Sequence, residues 1–508
     1  MKKILFLVTE LQRPVGGLYR FTVELLPAWR KNVLAGKAEF EPVVFSIRDP
    51  AIPLGDLTEV NTSPISDIAK KLQIKIYSAK RGGEVCFFVE SSLNLEQRNA
   101  FHKTLYDKYR IKSEKAASWP FYQTLNAFWY YMPLVADELI KAGYDIAAID
   151  AQDWLAFPAG FLTKQQIKRA LNCRFHSGEF GRSVGFPDFL APPVLIERAS
   201  LQEADYIQGV SIDEAKFEIY NLLQAKIELS RELESEKSAK WKQEQDWKTE
   251  NYEEYLLLEP TELALITQSV AGITNGIILD DWMKINSSDI AEGKAMLQKL
   301  MPNRKKYITF IGRADYRKGI DALVEAFGKL SNKDCGLLIS SVLSADDYQR
   351  LFTMASSLGV SENVLLYNGW LEEKIKKQIF CASDVICLPS LYEPFGLVTL
   401  EGLAADLACE KNNSRGPVVV VGDTGGMHEV IKNGVNGFKS PMEQEKFSLP
   451  PTYLSKILKL VLKDEELSDR ISKGGAQRVK SQYFDWEFIN TLFMQIYRKA
   501  IENYTKWN

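Results

Sequence analysis

The sequence predicts an α/β chain of two parallel-sheet domains, and three observations carry the prediction. In the C-terminal half, apolar runs at Tyr307–Ile311, Asp384–Pro389 and Pro417–Val421 each pass through a glycine-containing turn into a helical pattern. The N-terminal half opens the same way, with a strand at Ile4–Val8, the turn Gly16-Gly17 and a helix carrying Phe21, Leu25 and Trp29. The third observation is size. The 508 residues correspond to about two to four domains and suffice for two sizeable cores.

Further strands are expected at Glu41–Ile47, Ile74–Tyr77, Val85–Val89, Ile146–Ile149 and Cys173–His176, with helices between them, and the Pro- and Asp-rich residues 50–66 read as a loop. The domain junction is placed near 276–290, after Asn275-Gly276, which gives domains at 1–285 and 286–483. Residues 484–508 form an amphipathic helix with Trp486, Phe488, Leu492, Phe493, Ile496 and Tyr497 on its apolar side. Residues 224–256 are densely charged and contain no Gly or Pro, which reads as a solvated helical hairpin inserted into the first domain. Its Trp241, Trp247, Tyr252 and Tyr255 leave open a carbohydrate-stacking or partner surface. A second insertion, Asp406–Arg415, reads as a surface loop.

Charge and composition exclude several classes. With 63 basic against 66 acidic residues the net charge is −3, which gives no electrostatic case for nucleic acid. The six cysteines show no Cys-x-x-Cys spacing and read as small core residues of a reducing compartment. The N-terminal apolar stretch after Lys2-Lys3 is too short for a signal sequence, and no apolar run approaches the roughly 20 residues that span a bilayer. The expectation is a cytoplasmic chain without a transmembrane segment.

The chemistry concentrates in Ser390–Ala404. Glu393 and Glu401 stand eight residues apart around a Pro394-Phe395-Gly396 turn that leads into a helix beginning near Leu397 and Val398. A strand, a glycine turn and a helix N-terminus together present backbone N–H groups to a phosphate. Upstream, Arg313 and Lys318 follow a strand and are placed to neutralise a diphosphate. Downstream, Thr424-Gly425-Gly426 opens another helix after the third strand. Two acids at different depths from one phosphate-binding edge suit a nucleotide-sugar. Glu401 also fits a plainer role, favouring the helix N-terminus through its dipole. His176 begins the pattern His-x-x-Glu-x-x-Arg with Glu179 and Arg182, which leaves a structural hydrogen bonder and a ligand-facing residue equally open. With His102 and His428 it completes a set of three scattered histidines, and no zinc site is recognisable.

The order Gly-Arg-x4-Lys-Gly, then Glu-Pro-Phe-Gly with a second Glu eight residues on, then Thr-Gly-Gly, resembles the retaining glycosyltransferases of the GT-B fold. Among these it is most similar to the bacterial glycogen/starch synthase branch and related sugar transferases. The resemblance covers roughly residues 273–442 and returns at Pro14-Val-Gly-Gly-Leu18, Asp150-Ala-Gln-Asp-Trp154, Phe175–Arg182, Ala204-Asp205 with Val210-Ser211, Cys86–Glu90 and the aromatic helix Trp119–Tyr131. It implies two Rossmann-like domains facing a cleft, with the C-terminal helix crossing back to the first. It implies a nucleotide-sugar donor such as ADP- or UDP-glucose, a glycan acceptor and retention of anomeric configuration. It also implies Glu393 beside the sugar ring, Glu401 on the ribose, and Gly16 and Gly17 against the diphosphate once the domains close. Arg313, Lys318 and the N–H groups at Gly396–Val398 would then stabilise the leaving diphosphate without a metal cofactor.

Two positions depart from the pattern. Pro14 stands where glycogen synthases carry a lysine two residues before Gly-Gly, and Gln152-Asp153-Trp154 replaces the His-Asp-Trp signature beside the donor sugar. Glutamine exchanges hydrogen bonds but carries no proton at neutral pH. Three readings follow: an α-glucan synthase, a retaining transferase for another sugar or acceptor such as an exopolysaccharide or lipid-linked glycan, and a binding protein without turnover.

Overall fold

The computed structural model describes residues 1–14, 16–111, 113, 120–183, 191–215, 270–330, 332, 334–443 and 448–507. The charged segment 224–256 and its aromatic residues lie outside them, as does Trp119. The chain divides into two compact units, Met1–Ile273 with Trp486–Asn508, and Thr274–Asp485.

The first unit is built on a nine-stranded sheet of order β3-β4-β5-β2-β1-β6-β7-β8-β9. Its strands are β1 (Lys2–Leu7), β2 (Phe40–Ile47), β3 (Thr58–Glu59), β4 (Lys75–Arg81), β5 (Glu84–Glu90), β6 (Ile146–Gln152), β7 (Ala170–Phe175), β8 (Tyr206–Gly209) and β9 (Val270–Gly272). The strands from β5 through β9 pair in parallel. The expected helix between the third and fourth strands is absent: β4 and β5 form an antiparallel hairpin turned by Gly82 and Gly83, at φ 55° and 82°. Residues 50–66 are not all loop either, because β3 pairs with β4 and the helix Ile65–Leu72 begins within them.

Both faces of this sheet are covered, which is why β1 is apolar from Ile4 to Leu7 and why even the polar side chains of β6 and β7, Asp150, Gln152, Asn172 and Arg174, are buried. The long helix Pro120–Lys141 packs Trp129 onto one face, and the indole donates to Leu155 O at 2.7 Å. The other face carries the helix Gly17–Leu34 together with the C-terminal helix Trp486–Trp507. The Tyr497 ring stacks on Trp29 with centroids 5.7 Å apart, and its hydroxyl donates to Asp150 Oδ2 at 2.6 Å. Trp486 Nε1 donates to Glu24 Oε2 at 2.9 Å. The buried Arg174 guanidinium lies 4.7 Å from the rings of both Phe21 and Phe493. Its N–H groups donate to Gln208 Oε1 at 2.8 Å and Ile273 O at 3.1 Å.

The second unit holds a six-stranded parallel sheet of order β12-β11-β10-β13-β14-β15. Its strands are β10 (Lys306–Ile311), β11 (Cys335–Ser341), β12 (Val364–Asn368), β13 (Val385–Leu388), β14 (Val418–Gly422) and β15 (Phe438–Ser440). This is the doubly wound order of a nucleotide-binding sheet, reversing between β10 and β13.

The division falls at Ile273/Thr274 and Asp485/Trp486, against the expected 285/286 and 483/484. Side chains and backbone groups tie 274–285 to the second unit. Thr274 Oγ1 donates to Tyr483 O and Ile277 N–H to Phe484 O, both at 2.9 Å, and Asn412 Nδ2 donates to Ile285 O at 3.0 Å. The Trp282 ring stacks on Phe380. Phe484 stays with the second unit, under the Arg478 guanidinium at 4.9 Å. Asp406–Lys411 is also no surface loop: it continues the helix Leu397–Lys411, with Asp406 through Cys409 buried. Ser472 Oγ donates to Asp406 Oδ1 at 2.9 Å, which is what admits an acid to the core.

Burial pushes the Asp150 carboxyl up to about 6, opposed by hydrogen bonds from Tyr497 and Asn172 and by the nearby Arg174. An acid that holds its proton more tightly when folded contributes stability below its unfolded pKa and loses it as pH rises to the folded value. Relative to Asp150→Asn, the native chain should therefore lose roughly 3 kcal/mol of stability between about pH 4 and pH 6. Urea denaturation of both proteins across that range tests this, and parallel pH profiles would refute it.

Candidate active site

The reversal between β10 and β13 opens a crevice at the carboxyl ends of the second unit's strands. Three turns meet there. Leu391 N–H donates to Arg317 O at 2.6 Å, joining the β13 loop to the β10 turn. Gly426 N–H donates to Pro394 O at 3.0 Å, joining it to the β14 turn. A Cβ on Gly319, Gly422 or Gly425 would overlap the carbonyl oxygen of Pro389, Ser390 or Glu393 respectively. Gly319 and Gly425 also take φ values of 64° and 49°, which L side chains resist.

Lys318 ends a short 3-10 turn, Tyr316–Lys318, in which the Asp315 carboxylate accepts Arg317 N–H. Its ammonium forms an ion pair with Glu393. Arg313 lies between β10 and that turn, with its side chain 68% exposed and Asp315 at 3.9 Å. Phe395 is buried at 2% exposure and anchors the loop. Gly396 then turns at φ 82° into the helix Leu397–Lys411. The N–H groups of Leu397 and Val398 open that helix, have no acceptor within it and carry the positive end of its dipole. Glu401 lies one turn deeper at 1% exposure. Its Oε1 accepts from Lys376 Nζ at 2.8 Å, and Lys376 also donates to Glu373 Oε1 at 2.7 Å.

In the first unit, Gly16 takes φ 98° and Gly17 is the first residue of its helix. Gln152 ends β6 and is fully buried, its Oε1 facing His176 Nε2 at 3.0 Å. Burial, reinforced by the Arg174 charge, holds the His176 imidazole well below its ordinary range. The neutral ring donates Nε2–H to Gln152, and Phe21 packs edge-on against it with centroids 4.7 Å apart. The glutamine that replaces the family's histidine is thus turned onto a second histidine. Asp153 follows at φ 65°, an unusual backbone for a residue with a side chain. Its carboxylate accepts Trp154 N–H at 3.1 Å. Burial raises its pKa, while Arg182 and the backbone N–H groups of Trp154, His176 and Ser177 oppose that rise.

Glu179 and Arg182 belong to a buried network. Arg182 Nε donates to Glu179 Oε2 at 2.9 Å and its NH2 group to Glu197 Oε1 at 3.2 Å, with Asp153 at 4.0 Å. Glu197 also accepts Glu179 N–H through both oxygens, at 3.0 and 3.1 Å. Burial pushes the Glu197 carboxyl well above its ordinary value, against the pull of Arg182. Sequence reasoning missed Glu197 and Lys376. Glu197 carried a signal, an acid set among the buried apolar residues Val194, Leu195, Ile196 and Ala199 of its helix. Lys376 carried none, because Glu372-Glu-Lys-Ile-Lys-Lys377 reads as a solvated face. Among the described residues, no group of three or more His, Cys, Asp or Glu is arranged to hold a metal ion, and no helix is long and apolar enough to cross a membrane.

Two Rossmann-like units built on mainly parallel sheets are the components of the GT-B fold. Residues 294–478 match the family model described as Glycosyl transferases group 1. An uncharacterized glycosyltransferase of Methanocaldococcus jannaschii is 31% identical over 39% of this chain and 46% of its own length. An alpha-maltose-1-phosphate synthase of Mycobacterium tuberculosis is 27% identical over 45% of this chain and 56% of its own. The chain thus spans about half the length of the curated relatives it matches. The catalytic domain of Starch Synthase IV from Arabidopsis thaliana, bound to ADP and acarbose, superposes with a TM-score of 0.61 at 15% identity, covering 99% of both chains. The chain has the GT-B fold, and its second unit is similar to the group 1 glycosyltransferases and to the glycogen and starch synthase branch.

Replacing Arg182 by Met should leave Glu197 buried without its cation and destabilise the fold by about 3–5 kcal/mol. Chemical denaturation checks this, and a loss within experimental error of zero would show that the network carries no net ionic stabilisation.

Proposed function

We propose that this protein is a retaining hexosyltransferase that moves glucose from ADP- or UDP-glucose to a glycan acceptor, as a glycogen or starch synthase does, and that it needs no metal ion. One observation carries the reading. Lys318 and Glu393 are paired beside the N–H groups of Leu397 and Val398, within the stretch that matches the group 1 family. Cation, helix N-terminus and carboxylate are the parts a departing nucleoside diphosphate and an electron-poor sugar call for. The ADP and acarbose bound by Starch Synthase IV point to the same donor and acceptor classes.

Cleavage at the anomeric carbon develops negative charge on the diphosphate and positive charge on the ring. Lys318, Arg313 and the two N–H groups oppose the first, in place of a metal ion. Glu393 opposes the second, and its pairing with Lys318 fixes where its carboxylate stands. The first unit by itself offers the Gly16-Gly17 backbone and the Asp153 and His176 side chains as hydrogen-bonding groups. The six cysteines are buried and unpaired, in keeping with a cytoplasmic setting. A second reading, a different sugar or acceptor, is favoured by Gln152: its amide oxygen is committed to His176 where the family's histidine addresses the donor. A panel of nucleotide-sugars tested with glycogen and maltooligosaccharides, scored by nucleoside diphosphate release, separates the two. Release with no nucleotide-sugar under any acceptor would leave only a binding role.

Arg313→Ala should lower kcat/KM by about 2–4 kcal/mol of transition-state stabilisation without changing the fold. Lys318→Ala should fall further, because it also strips Glu393 of its partner. Steady-state rates equal to wild type in either variant would end the diphosphate assignment.

Glu393→Gln keeps the shape of the side chain and removes its charge. Turnover should drop by roughly a hundredfold or more, while the nucleoside diphosphate product binds within a few-fold of wild type by calorimetry. Retained turnover with lost product binding would reverse that role.

A further inference from the structure

We infer that Gln152 is a positioning residue that fixes the tautomer of His176, leaving Nδ1 as a proton-free acceptor for a sugar hydroxyl at the carboxyl end of β7. The tautomer follows from the first unit alone, and the sugar hydroxyl rests on the proposed function. His176 follows the last residue of β7 and Gln152 ends the neighbouring strand β6. Both therefore stand at the edge where open α/β sheets bind ligands. Gln152 Oε1 lies 3.0 Å from His176 Nε2. The far nitrogen, Nδ1, belongs to a half-buried ring and makes no hydrogen bond among the described residues.

An amide fits that place in two orientations, with either its oxygen or its NH2 group toward the ring. Asp150, two residues back along β6 and buried, decides between them. Tyr497 donates to its Oδ2 at 2.6 Å and Asn172 Nδ2 to its Oδ1 at 2.7 Å, and both bonds favour the ionised acid. A carboxylate accepts and never donates, so the end of Gln152 turned toward it is the NH2 group. That group has no close hydrogen bond of its own and, with Arg174, further favours the ionised Asp150. The amide oxygen is thereby committed to His176, and the nitrogen that faces it must carry the proton. Burial and the Arg174 charge keep the ring neutral. A neutral imidazole has one N–H, so Nδ1 is left with its lone pair.

A ring held only for packing against Phe21 would make the same contact, so the test reads the proton and the ligand separately. The full-length chain, labelled with nitrogen-15 in its three histidines, is observed by NMR at about pH 7.5, where an acid near 6 is ionised. His176→Gln assigns the His176 signals by their loss. That ring should show a protonated Nε2 and an unprotonated Nδ1. Asp150→Asn can meet either end of the amide and should give a mixture of tautomers, as should Gln152→Met, which offers no acceptor. In calorimetry, Gln152→Met should weaken ADP-glucose or UDP-glucose by about three- to tenfold, one hydrogen bond, while ADP and UDP stay within about twofold of wild type. If the hydroxyl belongs to the acceptor, donor affinity holds and the KM for maltoheptaose rises by the same factor instead. A protonated Nδ1 in the wild-type ring, or an unchanged tautomer in both variants, would overturn the inference and leave the proposed function standing. So would equal weakening of nucleotide-sugar and nucleoside diphosphate, or no change toward either sugar ligand. A wild-type chain with the stated tautomer that binds no nucleotide-sugar would overturn the proposed function, and the sugar hydroxyl with it.

Discussion

The backbone carbonyls of Pro389, Ser390 and Glu393 press against the Cα atoms of Gly319, Gly422 and Gly425, leaving no space for a side chain at any of the three glycines. That close approach makes the loop after β13 a rigid body shared by its two neighbouring turns. Glu393 gains its position from it, since the residue sits in an irregular loop with no helix or strand of its own. Lys318 gains its position too, because the turn that carries it is held through Leu391 N–H to Arg317 O. Polar groups held this way have their positions set by the fold itself, which is the condition for preorganisation.

Both units bury charge, and they do so by the same rule. In the first, Arg182 gathers Glu179, Glu197 and Asp153, while Arg174 is shielded by two phenyl rings and answered by Gln208 and Ile273 O. In the second, Lys376 meets Glu401. A buried ion is tolerated only where a partner and further hydrogen bonds replace its water, so each network constrains several elements at once. The Arg182 network fixes the short helix Glu179–Arg182 behind His176. The Arg174 sandwich joins β7, the helix after Gly16-Gly17 and the C-terminal helix, and its Phe21 also packs against His176.

Most of the fold was legible. Strand, glycine turn and helix repeat in the chain because each βαβ unit uses them in that order, and the apolar runs are continuous because both sheet faces are covered. The misreadings have local causes. The β4–β5 hairpin was missed because Gly82-Gly83 also fits a longer connection, and Asp406–Lys411 because charged residues inside a helix resemble a loop until their partner, here Ser472, is known. The junction was misplaced by about a dozen residues because 274–285 has no strong pattern of its own and is recruited by Tyr483, Phe484, Phe380 and Asn412.

The sequence by itself determined the parallel α/β architecture and the three motif turns, and it singled out Arg313, Lys318, Glu393 and Glu401 as the candidate residues at the second unit's strand ends. Those features depend on short-range order, in which spacing along the chain dictates what one strand end can present. Tertiary structure alone decided that Lys318 pairs with Glu393, 75 residues away, that Lys376 is the cation beside Glu401, and that Gln152 is turned onto His176. Such pairings depend on which strands lie side by side. In the second unit that order is set by the packing of helices on two faces of a sheet, and no local pattern records it.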